Sequence, residues 1–240
     1  MGSWGKTLAI AGVCAAIASG SSAAVVTLDS VVGVWQNTLL SNGAAANNEG
    51  TSEITWGSDL GDGLSGYEFN AVTGLPSVVG SPFDLGEFVH NNFPIGAPSL
   101  ESADLSVSIT GNIDGLAFAL NPVFSFTHFE TTNFPSGSCA AGGVEPCPDL
   151  VTLVNSQDLT EVVNTPDGPL TLTILGFDTG SGPFSSFLTL EDESNFATLR
   201  AEFLAPIPGT TVVPLPAAGW MLLAGVGGLA AFGRRRNKSL

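Results

Sequence analysis

Strict alternation of apolar and polar residues is the feature that most limits the folds open to this chain. Residues 105–110 read Leu-Ser-Val-Ser-Ile-Thr, and residues 170–174 read Leu-Thr-Leu-Thr-Ile. Residues 199–203, Leu-Arg-Ala-Glu-Phe, have the same period. Successive side chains of a β-strand point to opposite faces of the sheet, so this pattern places the apolar residues on one buried face. We therefore predict half-buried strands at all three segments.

The rest of the central region also favours strands. Gly, Pro, Asn and Asp separate the apolar segments, and residues 111–115 and 165–169 are predicted turns. A body of about 180 residues suits one domain with a sizeable core. With about nine or ten strands, we expect residues 24–204 to form a single antiparallel β-sandwich, all-β and jelly-roll or immunoglobulin-like. Seven further strands are predicted, at residues 25–34, 52–56, 66–70, 86–90, 116–129, 150–155 and 184–190.

The N-terminus has the layout of a secretory signal peptide. Lys6 precedes an uncharged stretch at residues 7–18, which small residues follow. Ser21 and Ala23 fit the −3 and −1 positions of a cleavage site. We predict a signal peptide at residues 1–23, with cleavage after Ala24 as the alternative.

The C-terminus predicts a membrane segment that ends in positive charge. Residues 217–233 carry no charged side chain, and their 17 residues reach the short end of the range for a spanning helix. Trp220 lies near one end, where an indole prefers the membrane interface. The basic residues should stay in the cytoplasm, which leaves the body outside. The predicted membrane stop consists of Arg234, Arg235 and Arg236.

A proline-bracketed motif precedes this segment and suggests more than an anchor. A buried core helix is disfavoured because three arginines at its end suit a membrane stop better than a core, and a plain anchor has no need of the two prolines. The motif, membrane segment and arginine cluster closely resemble the VPLPA variant of the PEP-CTERM sorting signal. The resemblance implies export, retention in the inner membrane by residues 214–240, and processing by an exosortase, with residues 205–213 as a spacer. The motif consists of Val213, Pro214, Leu215, Pro216 and Ala217.

Charge is divided sharply between the body and the two ends. All 22 acidic residues and only one of the six basic residues, Arg200, lie in the body, which gives it a formal charge of −21. Nucleic acids and anionic lipids need clustered Lys and Arg, so the charge excludes them as partners of the body. A merely acidic, soluble surface is the simpler interpretation, and binding of Ca²⁺ by carboxylates is the alternative.

Two cysteines remain after the signal peptide. Cys139 and Cys147 bracket a short loop-like stretch. An even pair in an oxidising compartment predicts one disulfide. Free thiols are the alternative, and a zinc site would need more ligands.

The only two histidines lie in similar surroundings. Residues 88–94 read Phe-Val-His-Asn-Asn-Phe-Pro, and residues 126–135 repeat the aromatic residue, the histidine and the Asn-Phe-Pro ending. Two equivalent strand ends explain this repeat without a ligand. The alternative is a metal or ligand site in which His90 and His128 meet Glu130 or Glu87, because two histidines and a carboxylate can bind Zn²⁺.

The body also resembles a known family. Residues 84–95, the strand at 105–110, residues 126–133 and the Cys139…Cys147-Pro148-Asp149 stretch are similar to the choice-of-anchor K domain of bacterial exported proteins. The resemblance covers most of residues 25–205. It implies a surface-protein role and no catalytic residue.

Catalytic motifs are missing from the sequence. No nucleophile elbow, His-Glu-x-x-His motif or phosphate-binding loop occurs. Carboxylate-based hydrolysis, with acids such as Asp104 or Glu130, stays an alternative. The Asp59-Leu60-Gly61-Asp62-Gly63 stretch lacks the spacing of an EF-hand loop, so an acidic turn is preferred to a calcium loop.

These observations favour an exported, non-enzymatic envelope or extracellular-matrix protein with a structural or adhesive role and no cofactor. The expected partners are the Sec machinery, an exosortase, the membrane through the C-terminal helix, and an exopolysaccharide. One alternative is a cation-dependent carbohydrate-binding module, for which Trp35, Trp56 and Tyr67 are the non-Phe aromatics available. The second alternative is a carboxylate-based glycan hydrolase.

Overall fold

A computed structural model describes residues 24–72, 76–133, 137–155 and 159–205 of the chain. The predicted signal peptide, sorting motif, membrane helix and arginine cluster lie outside these residues. Within them the fold is all-β, as predicted, and no helix is long and apolar enough to cross a membrane. The strands, in chain order, are β1 (Val25–Leu40), β2 (Glu53–Trp56), β3 (Ser58–Asp59), β4 (Ser65–Ala71), β5 (Pro76–Val78), β6 (Phe83–Asn92), β7 (Ile95–Gly96), β8 (Leu100–Ile113), β9 (Leu116–Leu120), β10 (Val123–Phe129), β11 (Asp149–Leu153), β12 (Thr160–Thr165), β13 (Gly168–Asp178), β14 (Pro183–Phe184), β15 (Ser186–Thr189) and β16 (Glu193–Leu204).

Two seven-stranded antiparallel sheets contain almost all of these strands. The first sheet has the order β15-β11-β10-β8-β1-β5, with β9 also paired to β8. The second sheet has the order β12-β13-β16-β6-β4-β2, with β14 also paired to β13. The strands β3 and β7 form a separate two-stranded ladder. The pairs β1–β8 and β6–β16 join distant parts of the chain, so the centre of each sheet depends on long-range contacts.

Alternation predicts the strands well, and the turn residues predict most of the gaps. The three strictly alternating segments lie within β8, β13 and β16. Of the turn predicted at residues 111–115, only Asp114 and Gly115 form it, and both have positive φ, as a two-residue hairpin turn requires. Residues 111–113 belong to β8, where they pair with β1 and β9. The single strand predicted at residues 116–129 is wrong, since the chain leaves the sheet at Asn121 and Pro122 and forms β9 and β10. Proline cannot donate a ladder hydrogen bond, which explains the break.

The core between the two sheets is built largely from aromatic rings. From the first sheet, Trp35 and Phe126 project inward, with their ring centroids 5.3 Å apart. Tyr67 and Phe88 face them from the second sheet, and Phe88 stacks on Phe126 at 5.6 Å. All four side chains are fully buried. Burial of large rings from both faces joins the two sheets into one sandwich.

Trp35, Trp56 and Tyr67 do not lie on an exposed sheet face, as the carbohydrate-binding alternative requires. Their exposed fractions are 0%, 1% and 0%. Each lies at an inward position of its strand, and Trp35 also donates its indole N–H to the Ser52 carbonyl oxygen at 3.1 Å. Sheet packing therefore uses the residues that this alternative needed for stacking on a sugar.

Candidate functional site: a buried histidine–carboxylate cluster

Five titratable side chains meet inside one end of the sandwich, and we call this group the histidine–carboxylate cluster. His90 comes from β6 of the second sheet, and His128 comes from β10 of the first sheet. Strand ends and the loops that follow them supply the acids. The cluster consists of His90, His128, Glu130, Asp149 and Glu191.

The two histidines of the sequence repeat face each other across the sandwich. Their ring centroids lie 5.1 Å apart and the rings are perpendicular. Trp56 stacks on His90, with centroids 5.7 Å apart. Part of the second copy of the repeat, at residues 134–136, lies outside the described residues. The repeat thus corresponds to two strands on opposite sheets whose histidines both point inward.

Hydrogen bonds leave one nitrogen of His90 facing the cluster. Its Nδ1 lies 2.8 Å from the Thr189 hydroxyl oxygen, and that hydroxyl donates to the Asp149 carbonyl oxygen at 3.4 Å. If the Thr189 hydroxyl donates to Asp149, Nδ1 carries the proton of the neutral ring and Nε2 keeps its lone pair. Burial, together with the neighbouring His128, holds the pKa of His90 well below its ordinary value. His90 is thus a neutral imidazole with Nε2 free to act as a ligand.

His128 lies between the phenol of Tyr67 and two carboxylates. Its Nδ1 is 2.7 Å from Tyr67 Oη, and its Nε2 is 3.2 Å from Glu130 Oε2 and 3.5 Å from Asp149 Oδ2. Burial alone would lower the pKa of His128. The hydrogen bonds and charges of Asp149 and Glu130 outweigh burial and raise this pKa. The carboxylates therefore stabilise positive charge at His128 Nε2.

The three carboxyl groups converge closely. One oxygen from each of Glu130, Asp149 and Glu191 lies within 4.8 Å of the others. Burial, followed by the charges of Asp149 and Glu130, raises the pKa of Glu191 to about 8. Burial is also the main reason that the pKa of Glu130 is raised. The arrangement favours a positive ligand or a proton among these oxygens.

Several polar atoms of the cluster are buried without a hydrogen-bond partner. They are His90 Nε2, Glu130 Oε1, both carboxylate oxygens of Glu191, and Asp149 Oδ2, which has an ion-pair contact with His128 Nε2 at 3.5 Å. Buried polar atoms in proteins are rarely left in this state, because each costs free energy comparable to a lost hydrogen bond. Their convergence on one place distinguishes the cluster from an ordinary polar patch in a core.

Arg200, the only basic residue of the body, does not neutralise the cluster. Its guanidinium lies 3.2 Å from Asp84 Oδ1 and 2.8 Å from Asp178 Oδ2. Asp84 is six residues before His90 on β6, which is about 20 Å along a strand. Apart from the two histidines, the cluster thus has no cationic side chain.

The predicted disulfide between Cys139 and Cys147 is confirmed, and it lies beside the cluster. Thr131 connects the two features. Its hydroxyl donates to the Cys147 carbonyl oxygen at 2.7 Å, and its backbone N–H donates to Asp149 Oδ1 at 2.7 Å. The disulfide-closed loop therefore helps to fix the Asp149 side chain.

Removal of this disulfide is expected to destabilise the body. In the chain-entropy model, a closed loop this short contributes about 2–3 kcal/mol. We expect the Cys139→Ser/Cys147→Ser variant to lose that amount in urea-induced unfolding of the exported protein. Peptide mapping without reductant provides the control, because it should find the two cysteines linked in the wild type. Two free thiols there, or equal stability of the two proteins, would contradict this expectation.

The structure separates the other candidate residues from the cluster. Glu87, three residues before His90 on β6, is exposed on the opposite face, since side chains alternate along a strand. Asp104 accepts a hydrogen bond from Asn37 at 3.0 Å at an exposed position. Asp59 accepts the backbone N–H groups of Gly61 at 2.7 Å and Gly63 at 3.0 Å. Of the acids proposed beside the histidines, Glu130 joins them and Glu87 does not.

Sequence reasoning did not place Asp149 and Glu191 at the site. Asp149 opens β11 directly after the disulfide-bonded Cys147 and Pro148, and Glu191 follows the end of β15. Their approach to the histidines depends on which strands pair, and no local motif records that. The repeated histidine segments were the one usable signal.

Comparison with known proteins gives no family assignment, since no family model and no curated protein matches the chain.

Proposed function

We propose that this protein is an exported structural or adhesive component of the bacterial envelope or extracellular matrix, processed by an exosortase. The observation that carries the proposal is the order of three features at the C-terminus. These are the Pro214-Leu215-Pro216 motif, the uncharged residues 217–233, and the arginines that follow. The order resembles the VPLPA-type PEP-CTERM signal. In this proposal, residues 217–233 form a membrane helix and residues 1–23 direct the chain to the Sec machinery.

The described body suits such a role. It is an all-β unit of two packed antiparallel sheets with one disulfide and a strongly acidic composition. A disulfide suits an oxidising compartment outside the cytoplasm, and a high negative charge favours solubility and mutual repulsion. In this proposal the two antiparallel sheets form a jelly-roll or immunoglobulin-like sandwich, and the body is similar to the choice-of-anchor K domain.

Burial of the histidine–carboxylate cluster favours a structural role over hydrolysis of a glycan. Asp149 is fully buried, and the Glu130 side chain is 15% exposed. A glycosidase needs its two carboxylates on either side of a bound sugar, and these acids face each other inside the sandwich. Carbohydrate binding through Trp35, Trp56 and Tyr67 is disfavoured by their burial, although an exopolysaccharide could contact other surfaces.

Cell fractionation combined with thiol labelling tests this proposal. We expect the body in the envelope and extracellular fractions with Cys139 and Cys147 oxidised. A matched variant that lacks residues 2–23 should stay in the cytoplasm with both thiols free to react. Wild-type protein found in the cytoplasm with reactive thiols would contradict the proposal.

A further inference from the structure

We propose that the histidine–carboxylate cluster binds a divalent transition-metal ion of the Zn²⁺ class, with His90, His128 and Asp149 as its principal ligands. Glu130 and Glu191 lie beside these three residues and complete the negative surroundings of the ion. The site goes beyond the proposed function and does not depend on it, because it stands on the geometry of the body.

Geometry provides the first support. One ligand atom from each of His90, His128 and Asp149 lies within 4.8 Å of the other two. Ligand atoms that share one Zn²⁺, at distances of about 2.0–2.1 Å, lie about 3.3 Å from each other in a tetrahedral site. Small side-chain movements toward a common centre would therefore form the coordination shell.

The unpaired atoms point to the same place. His90 Nε2 and Asp149 Oδ2 are buried and lack hydrogen-bond partners, and Glu130 and Glu191 each add unpaired carboxylate oxygen. A metal ion satisfies such atoms directly, because it accepts their lone pairs.

The partners of the ligands are those expected around a metal. Each imidazole uses its Nδ1 for an outer hydrogen bond, to Thr189 for His90 and to Tyr67 for His128. Asp149 is held at its other oxygen by the Thr131 N–H. Such outer bonds fix the orientation of metal ligands and direct their remaining lone pairs to the ion.

Charge gives independent support. Three carboxyl groups lie in or near the core, and the only arginine of the body is occupied by Asp84 and Asp178. Buried acids are costly unless cations balance them, and among the described residues His128 is the one basic side chain that pairs with these carboxyl groups. Two positive charges on an ion would offset most of the negative charge of the cluster.

The donor set selects the class of metal. Imidazole nitrogen suits Zn²⁺ and the neighbouring transition metals, whereas Ca²⁺ and Mg²⁺ prefer shells made of oxygen alone. His90 and His128 come from opposite sheets, so an ion bound by both would cross-link the sandwich at this end. That cross-link would lie beside the disulfide.

Binding is tested on the full chain without a polyhistidine tag, purified and freed of metal with a chelator. We expect about one Zn²⁺ per chain by elemental analysis after removal of excess metal. Thermal unfolding should shift upward by about 5–10 °C when free Zn²⁺ is about 100 times Kd. Ca²⁺ and Mg²⁺ at the same concentration, and NaCl at equal ionic strength, should shift it less.

Substitutions assign the ion to the cluster. His90→Gln and Asp149→Asn should each weaken Zn²⁺ binding at least about 10-fold. Glu87→Gln is the matched control, because Glu87 lies on the same strand as His90 but is exposed on its other face. The Glu87→Gln variant should bind Zn²⁺ as tightly as the wild type does. Circular dichroism at low temperature establishes whether each variant is folded. If one of them is unfolded, Glu191→Gln, at the edge of the cluster, is tested in its place.

Three results would overturn the proposal. The first is a metal-free wild type that takes up no stoichiometric Zn²⁺. The second is Zn²⁺ binding that His90→Gln and Glu191→Gln leave unchanged, which would place the ion elsewhere. The third is a Ca²⁺ shift as large as the Zn²⁺ shift, which would indicate an oxygen-only site. Each of these outcomes leaves the export proposal untouched.

Discussion

Replacement of Phe126 by alanine is expected to lower the free energy of unfolding by about 3–5 kcal/mol. The Phe126 side chain is 1% exposed and lies at the centre of the aromatic core. Its ring centroid is 5.3 Å from that of Trp35 in the same sheet and 5.6 Å from that of Phe88 in the opposite sheet. Truncation would leave a cavity between the sheets that these rigid rings cannot fill.

Urea-induced unfolding of the purified chain measures this effect, with Phe196→Ala as the matched control. Phe196 is also a phenylalanine within a strand, but it is 55% exposed. Its replacement should change the free energy of unfolding by no more than about 0.5 kcal/mol. Equal losses in the two variants would mean that Phe126 does not lie between the sheets.

Replacement of both Pro214 and Pro216 by alanine is expected to abolish release of the body. The proposed processing depends on this motif, whereas the membrane helix and its arginine stop would remain intact. We therefore expect the full-length precursor to accumulate in the inner membrane and the released form to disappear. Immunoblots of cell fractions with an antibody to the body provide the measurement.

The spacer offers a matched control for that variant. Pro206 and Pro208 have the same Pro-x-Pro spacing and lie just before the motif. Their double replacement by alanine should leave release unchanged. Loss of release in both variants would indicate a general effect of proline replacement in this part of the chain. Normal release of the Pro214→Ala/Pro216→Ala protein would show that processing does not depend on the motif.

Much of the fold could be predicted from local pattern, because strand periodicity and turn chemistry are written in neighbouring residues. The alternation at residues 105–110 predicts part of β8, and Asp114-Gly115 predicts the turn that follows it. The strand β12 was not predicted, because Glu161-Val162-Val163-Asn164 does not alternate. The short strands β3, β5 and β7 have two or three residues each and carry too little pattern to be recognised.

The candidate site could be predicted only in part, because it depends on pairing between distant strands. The repeated segments identified His90, His128 and Glu130. Asp149 joins them because β10 pairs with β11, and Glu191 joins because β15 pairs with β11. Alternation shows which face of a strand is buried but not which strand it pairs with. Neither acid could therefore be placed beside the histidines.

Intact-mass analysis of the protein released from its source cell is the decisive test of export and of processing at the C-terminal motif. We expect a chain that begins at Ala24 or Val25 and ends near residues 214–216, with its two cysteines linked. The membrane segment and arginine cluster should both be missing. A released protein that still carries residues 217–240 would contradict the sorting proposal and show a permanent membrane anchor instead.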